Sequence, residues 1–173
     1  MRHTARAPRA AAAVESLRND GASLATAESV TGGQLAVLMT EIPGSSEVYR
    51  GGVVAYATDL KVDLLDVPEV VVERHGVVSA ECALAMARGV RRVTGATYGV
   101  STTGVAGPEE QEGKPVGTVF VALAGPDGHE AVVALELVGD RAAIQDRTCQ
   151  EALHLVAGHV REANLHREEP GLG

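Results

Sequence analysis

Short runs that favour β-strand alternate with runs that favour helix along almost the whole chain, and glycine-bearing turns separate them. The order begins with a helix over 10–19, stopped by Gly21, and a strand over 23–27. A helix over 34–40 and a strand over 48–57 follow. Thr58 or Asp59 is expected to cap a short helix carrying Lys61, Leu64 and Leu65. Pro68 starts a second short helix that Gly76 ends, and Ser79 caps a longer one over 80–93. A strand over 97–102 leads into a loop over 104–113. The runs 118–124 and 130–137 flank Gly125-Pro126-Asp127-Gly128 and read as an antiparallel hairpin. Asp140 caps the last helix. An alternating order of this kind predicts an α/β fold: a three-layer α/β/α domain whose mixed sheet includes the hairpin.

Four aromatic residues in 173, three Tyr and one Phe, leave Ala, Val and Leu to build the core, which favours closely packed layers. The length fits one domain. The expected division is a flexible arm over 1–9, a single domain over 10–163 and a flexible, charged, Pro/Gly-rich tail over 164–173. No apolar run reaches the roughly 18 residues that span a bilayer. Glu15 and Arg18 interrupt any signal-peptide core, so a cytoplasmic protein without membrane contact is expected. A formal net charge of −8 opposes a phosphate backbone and makes nucleic acid an unfavoured partner. Cys82 and Cys149 have no second thiol or nearby histidine at zinc-ligand spacing, so no metal site is expected. His154 and His159 are five apart on a helix, an offset that does not align a metal pair.

Three clusters could carry chemistry. Ser29 stands between a strand and the turn Thr31-Gly32-Gly33 that opens a helix, where ligands bind in open α/β sheets. Its hydroxyl is a candidate nucleophile and the amides from Val30 to Gly33 candidate oxyanion donors. The alternative is that Ser29 or Thr31 simply caps the helix. Tyr56 and Lys61 form the second cluster. Of 15 basic residues 13 are Arg, and the two Lys are Lys61 and Lys114. A buried lysine can lose its proton and serve as a base, which arginine cannot. The alternative is an aromatic at a rim and a surface lysine. The third cluster, Thr102-Thr103-Gly104-Val105-Ala106-Gly107-Pro108 with Lys114 following, leaves a strand end and offers hydroxyls and amides to a phosphate, or is a plain connection.

Together these segments are more specific than any one of them. Thr26-Ala27-Glu28-Ser29-Val30-Thr31-Gly32-Gly33, Pro43-Gly44-Ser45-Ser46 and Arg50-Gly51-Gly52-Val53-Val54-Ala55-Tyr56 resemble the CinA C-terminal domain family. So do His75-Gly76-Val77-Val78-Ser79, Thr103-Gly104-Val105-Ala106-Gly107-Pro108 and Lys114-Pro115-Val116-Gly117-Thr118-Val119. The resemblance implies a metal-free and cofactor-free nicotinamide-nucleotide amidohydrolase in its stand-alone form. Such an enzyme converts nicotinamide mononucleotide to nicotinic acid mononucleotide and ammonia. By motif, the nucleophile falls on Ser29 and its partners on Tyr56 and Lys61. Thr31, Gly32, Gly33, Thr103, Gly104, Gly107 and Lys114 become candidate substrate contacts, and a homo-oligomer is implied. Two departures stand out. Val30 replaces the family's usual Cys, and Glu109, Glu110 and Glu112 replace glycines beside the phosphate loop, where they would repel an anionic nucleotide. A binding or regulatory protein, or an amidase for a less anionic carboxamide, is the alternative.

Overall fold

The computed structural model describes residues 6–168. Five strands make one sheet: β1 (Leu24–Glu28), β2 (Tyr49–Val54), β3 (Tyr98–Gly104), β4 (Thr118–Ala124) and β5 (Glu130–Glu136). Their order across the sheet is β2-β1-β3-β4-β5. β1 runs parallel to both β2 and β3, whereas β4 is antiparallel to β3 and β5. Six helices cover the sheet: α1 (Arg6–Asp20), α2 (Gln34–Thr40), α3 (Thr58–Leu65), α4 (Glu69–His75), α5 (Ala80–Thr94) and α6 (Arg141–Glu168). This is the expected mixed α/β/α sandwich with its hairpin.

Side chains of the strands alternate between two cores, as the two-residue period of a strand requires. Leu24, Tyr98, Val100, Val119, Val121 and Leu123 face the first, which α1, α2 and α6 close with Leu17, Leu35, Leu153 and Val156. Ala25 and Ala27 face the second, with Leu65, Val78, Met86 and Val90 from the helices and loops of the other layer. Here the scarcity of aromatics has its structural counterpart. Ala83 and Ala87 of α5 lie against Ala122 and Ala124 of β4. At Gly99 a Cβ would sit 2.1 Å from the Ala87 carbonyl oxygen, so the helix backbone rides directly on the sheet.

Some boundaries differ from expectation. α1 takes in residues 6–9, assigned to the arm, and α6 runs to Glu168, into the segment assigned to the tail. Residues 1–5 and 169–173 of those segments lie outside the described residues. Ser79 and Asp140 cap as expected, accepting from the amides of Cys82 at 3.1 Å and Ala143 at 2.8 Å. Thr58 and Asp59 do not: Ala57 holds the cap position of α3, with no side-chain capping bond.

Candidate active site

The three parallel strands end side by side, and the backbone ladder continues one residue past them. The Ser29 amide donates to the Thr102 carbonyl at 2.9 Å, and the Ala55 amide to the Glu28 carbonyl at 2.9 Å. Ser29, the Ala55–Tyr56 pair and the end of β3 therefore share one edge. A cleft of about 500 Å³ opens there, lined among others by Ser29, Val30, Tyr56, Lys61, Thr103 and Arg141. Ligands in open α/β sheets bind at this edge.

Glu28 decides how Ser29 is presented. This glutamate ends the wholly buried β1, and its carboxylate accepts from the Leu35 amide at 2.8 Å and the Ala36 amide at 3.0 Å. It also accepts from the Thr31 hydroxyl at 2.7 Å. That spends the Thr31 proton, so Thr102 donates across the 2.7 Å contact between the two threonine hydroxyls. The Leu35 and Ala36 amides of α2 are thus capped by Glu28 and not by the side chain of Ser29 or Thr31, while the Gln34 amide donates to the Thr31 carbonyl. Gly33, at φ 101, supplies the left-handed turn into the helix that a side chain would resist. Among the described residues no hydrogen bond takes up the Ser29 hydroxyl, which is half-buried at the cleft.

Lys61 is 1% exposed. Its Nζ donates to the Ala55 carbonyl at 2.7 Å and the Tyr56 carbonyl at 3.3 Å. Burial lowers its pKa below the usual 10.5, against Cys82, Glu112 and Asp59, whose ionised forms favour the ammonium. The two carbonyl dipoles pull in that same upward direction. Nearby, burial pushes the Cys82 thiol up to about 11, so it stays protonated near neutral pH. Tyr56 meets Lys61 through its backbone carbonyl, while the residue as a whole is 62% exposed at the cleft edge.

The remaining candidates divide. Gly104 and Gly107 line the cleft. Thr103 lines it too, but its hydroxyl donates to the Val77 carbonyl at 2.7 Å. The structure does not bring Thr31, Gly32, Gly33 or Lys114 into the lining. Thr31 is sealed behind Glu28, the Gly32 amide donates to the Ser29 carbonyl, and Lys114 Nζ holds the carbonyls of His75 and Val78. Of the expected oxyanion donors, Val30 is the residue of the turn that lines the cleft. The three acids after Pro108 also separate: Glu109 and Glu110 line the cleft, and Glu112 turns to the amides of Val77 and Val78.

Sequence reasoning missed Glu28 and Arg141. Arg141 opens α6, lines the cleft and donates to the Gly107 carbonyl. A cation in the first turn of a helix opposes the helix dipole, and that misplacement was its signal. No group of three or more His, Cys, Asp or Glu suited to a metal occurs among the described residues.

Fold and cleft together define a class: an α/β sandwich that sets a serine and a buried lysine at the carboxyl edge of its parallel strands. The CinA C-terminal domain model matches residues 6–160, and the chain belongs to that family. It is 52% identical to a CinA-like protein of Frankia casuarinae, over 78% of this chain and 31% of that protein. To a CinA-like protein of Myxococcus xanthus it is 43% identical, over 89% of this chain and 37% of that one. The chain therefore spans about a third of the length of these curated relatives. Solved structures match over most of both chains. Competence/damage inducible protein CihA from Agrobacterium tumefaciens aligns with a TM-score of 0.85 at 33% identity, covering 89% of this chain and 94% of that one. A CinA superfamily protein from Klebsiella pneumoniae aligns with a TM-score of 0.87 at 28% identity, covering 91% and 98%.

Proposed function

We propose that the chain is a nicotinamide-nucleotide amidohydrolase that works through a serine acyl-enzyme, without metal or cofactor. The observation that carries this reading is that Ser29, its hydroxyl unbonded among the described residues, and the buried Lys61 line one cleft. A neutral lysine amine has two N–H bonds and one lone pair, and two backbone carbonyls take two donors. The lone pair is then left for the proton of Ser29, whose hydroxyl Glu28 has relieved of capping. Ser29 Oγ attacks the carboxamide carbon as Lys61 takes its proton, and the Val30 amide faces the developing oxyanion. The protonated Lys61 returns the proton to the departing ammonia, and water then hydrolyses the ester. Tyr56, open to solvent, borders the entry for the ring. Arg141 supplies the cation for a phosphate, against the repulsion of Glu109 and Glu110. A homo-oligomer in the cytoplasm belongs to the same reading.

Ammonia release tests it. Nicotinamide mononucleotide should be hydrolysed far faster than free nicotinamide or the unphosphorylated riboside. Arg141→Ala should raise KM for the nucleotide with little effect on kcat, because the phosphate is remote from the scissile bond. Faster hydrolysis of an uncharged carboxamide would favour a different amidase, consistent with the acids at the cleft. No hydrolysis of any amide would favour a binding or regulatory protein, a role in keeping with the competence and damage names of its relatives.

A further inference from the structure

One wall of the cleft is neither helix nor strand. Gly76, Val77 and Val78 join α4 to the cap of α5, and their own backbone pairing cannot fix them. Every polar group of these three residues is nevertheless taken. The Gly76 amide donates to the Val72 carbonyl at 3.0 Å, and the Gly76 carbonyl accepts from Ser79 Oγ at 2.8 Å. The Val77 carbonyl accepts from Thr103 Oγ1, and the Val78 carbonyl from Lys114 Nζ. The two remaining amides go to one side chain: Glu112 accepts from Val77 at 2.9 Å and from Val78 at 3.0 Å, one bond to each carboxylate oxygen.

Two backbone features are arranged around that carboxylate. Glu112 has φ 54, a left-handed conformation that L side chains seldom adopt. Gly76 has φ 76, and a Cβ there would lie 2.4 Å from Glu112 Oε2, so a glycine leaves the space the carboxylate fills. The segment held in this way matters to the site. Val77 and Val78 are 4% and 1% exposed, line the cleft with Lys61, and pack into the core beside Leu65, Cys82 and Val105.

We propose that Glu112 is a positioning residue: its carboxylate clamps the Val77–Val78 wall in the place where it keeps water from Lys61. The clamp stands on the geometry alone, whereas its consequence for catalysis rests on the amidohydrolase reading above. The acid that the sequence placed beside a phosphate therefore serves the lysine. The groups that face Lys61 are Glu112 of the loop and Asp59 of its own helix, which favour the charged amine, and Cys82 of α5, which does so only when ionised; burial outweighs them.

Two variants separate charge from clamp. Glu112→Gly suits the left-handed backbone and removes the clamp. Glu112→Gln keeps the bulk and one acceptor but removes the charge. Hydrogen exchange at the Val77 and Val78 amides should quicken at least about tenfold in Glu112→Gly, since both lose their acceptor. With nicotinamide mononucleotide, kcat should fall about tenfold or more, as for a small misplacement at an active site, and KM should change little. In Glu112→Gly, water reaching Lys61 should outweigh the lost charge, because burial is the larger influence on this amine, and move the acidic limb of the rate profile to higher pH. Loss of charge alone should move it to lower pH in Glu112→Gln, with kcat between the wild type and Glu112→Gly. Unchanged exchange at both amides in Glu112→Gly overturns the clamp, whatever the activity. Quickened exchange with unaltered kcat and pH limb overturns the positioning role. A wild-type protein without amidase activity overturns the functional reading and leaves the exchange result to judge the clamp.

Discussion

Glu28 and Lys61 are both 1% exposed, and each is tolerated because backbone groups surround it. Glu28 accepts from two amides and a hydroxyl, so Glu28→Ala strands all three donors. The expected cost is about 3 kcal/mol. Thermal unfolding should read this as a fall in Tm of about 10 °C, at ~2–4 °C per kcal/mol for a chain of this size. In the proposed mechanism Lys61 is required for a different property, its ability to lose a proton. Lys61→Arg keeps the charge but supplies no neutral base, so steady-state assays should find it nearly as inactive as Lys61→Ala. Recovery of most of the rate by arginine would make Lys61 an electrostatic anchor. Tyr56→Phe should cost far less, since Tyr56 reaches Lys61 through its carbonyl. That Ser29 and Lys61 were worth singling out was legible in the sequence, one from its place after a strand, the other from its rarity, and both line the cleft. Glu28 was not: its partner amides lie seven and eight residues further on, and only the folded turn brings them back to the strand end.

The elements were legible where the period of the pattern matched one face of a layer. β4 alternates cleanly between the two cores, and α5 carries small residues on the stripe that meets the sheet. What spacing could not convey is how closely the layers approach. α5 touches α3 as tightly as it touches β3: a Cβ at Gly89 would lie 2.0 Å from the Leu65 carbonyl oxygen. That oxygen belongs to the backbone and has no rotamer to yield. Gly89→Ala should therefore destabilise the fold by about 1–3 kcal/mol, although alanine is the better helix former. Chemical denaturation should show a lower midpoint with an unchanged slope. A rise in stability would mean that α3 and α5 are spaced more widely. α6 shows the other limit of sequence reading. Its cap at Asp140 was legible, but that Arg141 reaches the loop after β3 depends on the packing of the two layers.

At the scale of the whole molecule, the parallel order β2-β1-β3 is what assembles the cleft, because it brings three strand ends to one edge. No helix among the described residues is long and apolar enough to cross a membrane. Carrying a lysine inside such a cleft has a global cost that depends on pH. Burial lowers the Lys61 pKa, so between that lowered value and 10.5 the unfolded chain binds more protons than the folded one, and stability rises with pH. Subtracting the stability curve of Lys61→Met isolates this titration. Relative to the variant, the wild type should gain up to about 1.4 kcal/mol per pH unit within the window and nothing above it. A difference that stays flat with pH would place the lysine in water. The central claim is that Ser29 is the nucleophile Lys61 activates, and the rate of ammonia release from nicotinamide mononucleotide by Ser29→Ala tests it most directly. The expected result is a fall of several hundredfold or more with an unchanged Tm, the few kcal/mol of barrier that a lost nucleophile represents. Activity within about threefold of the wild type, in a variant equally well folded, would contradict it.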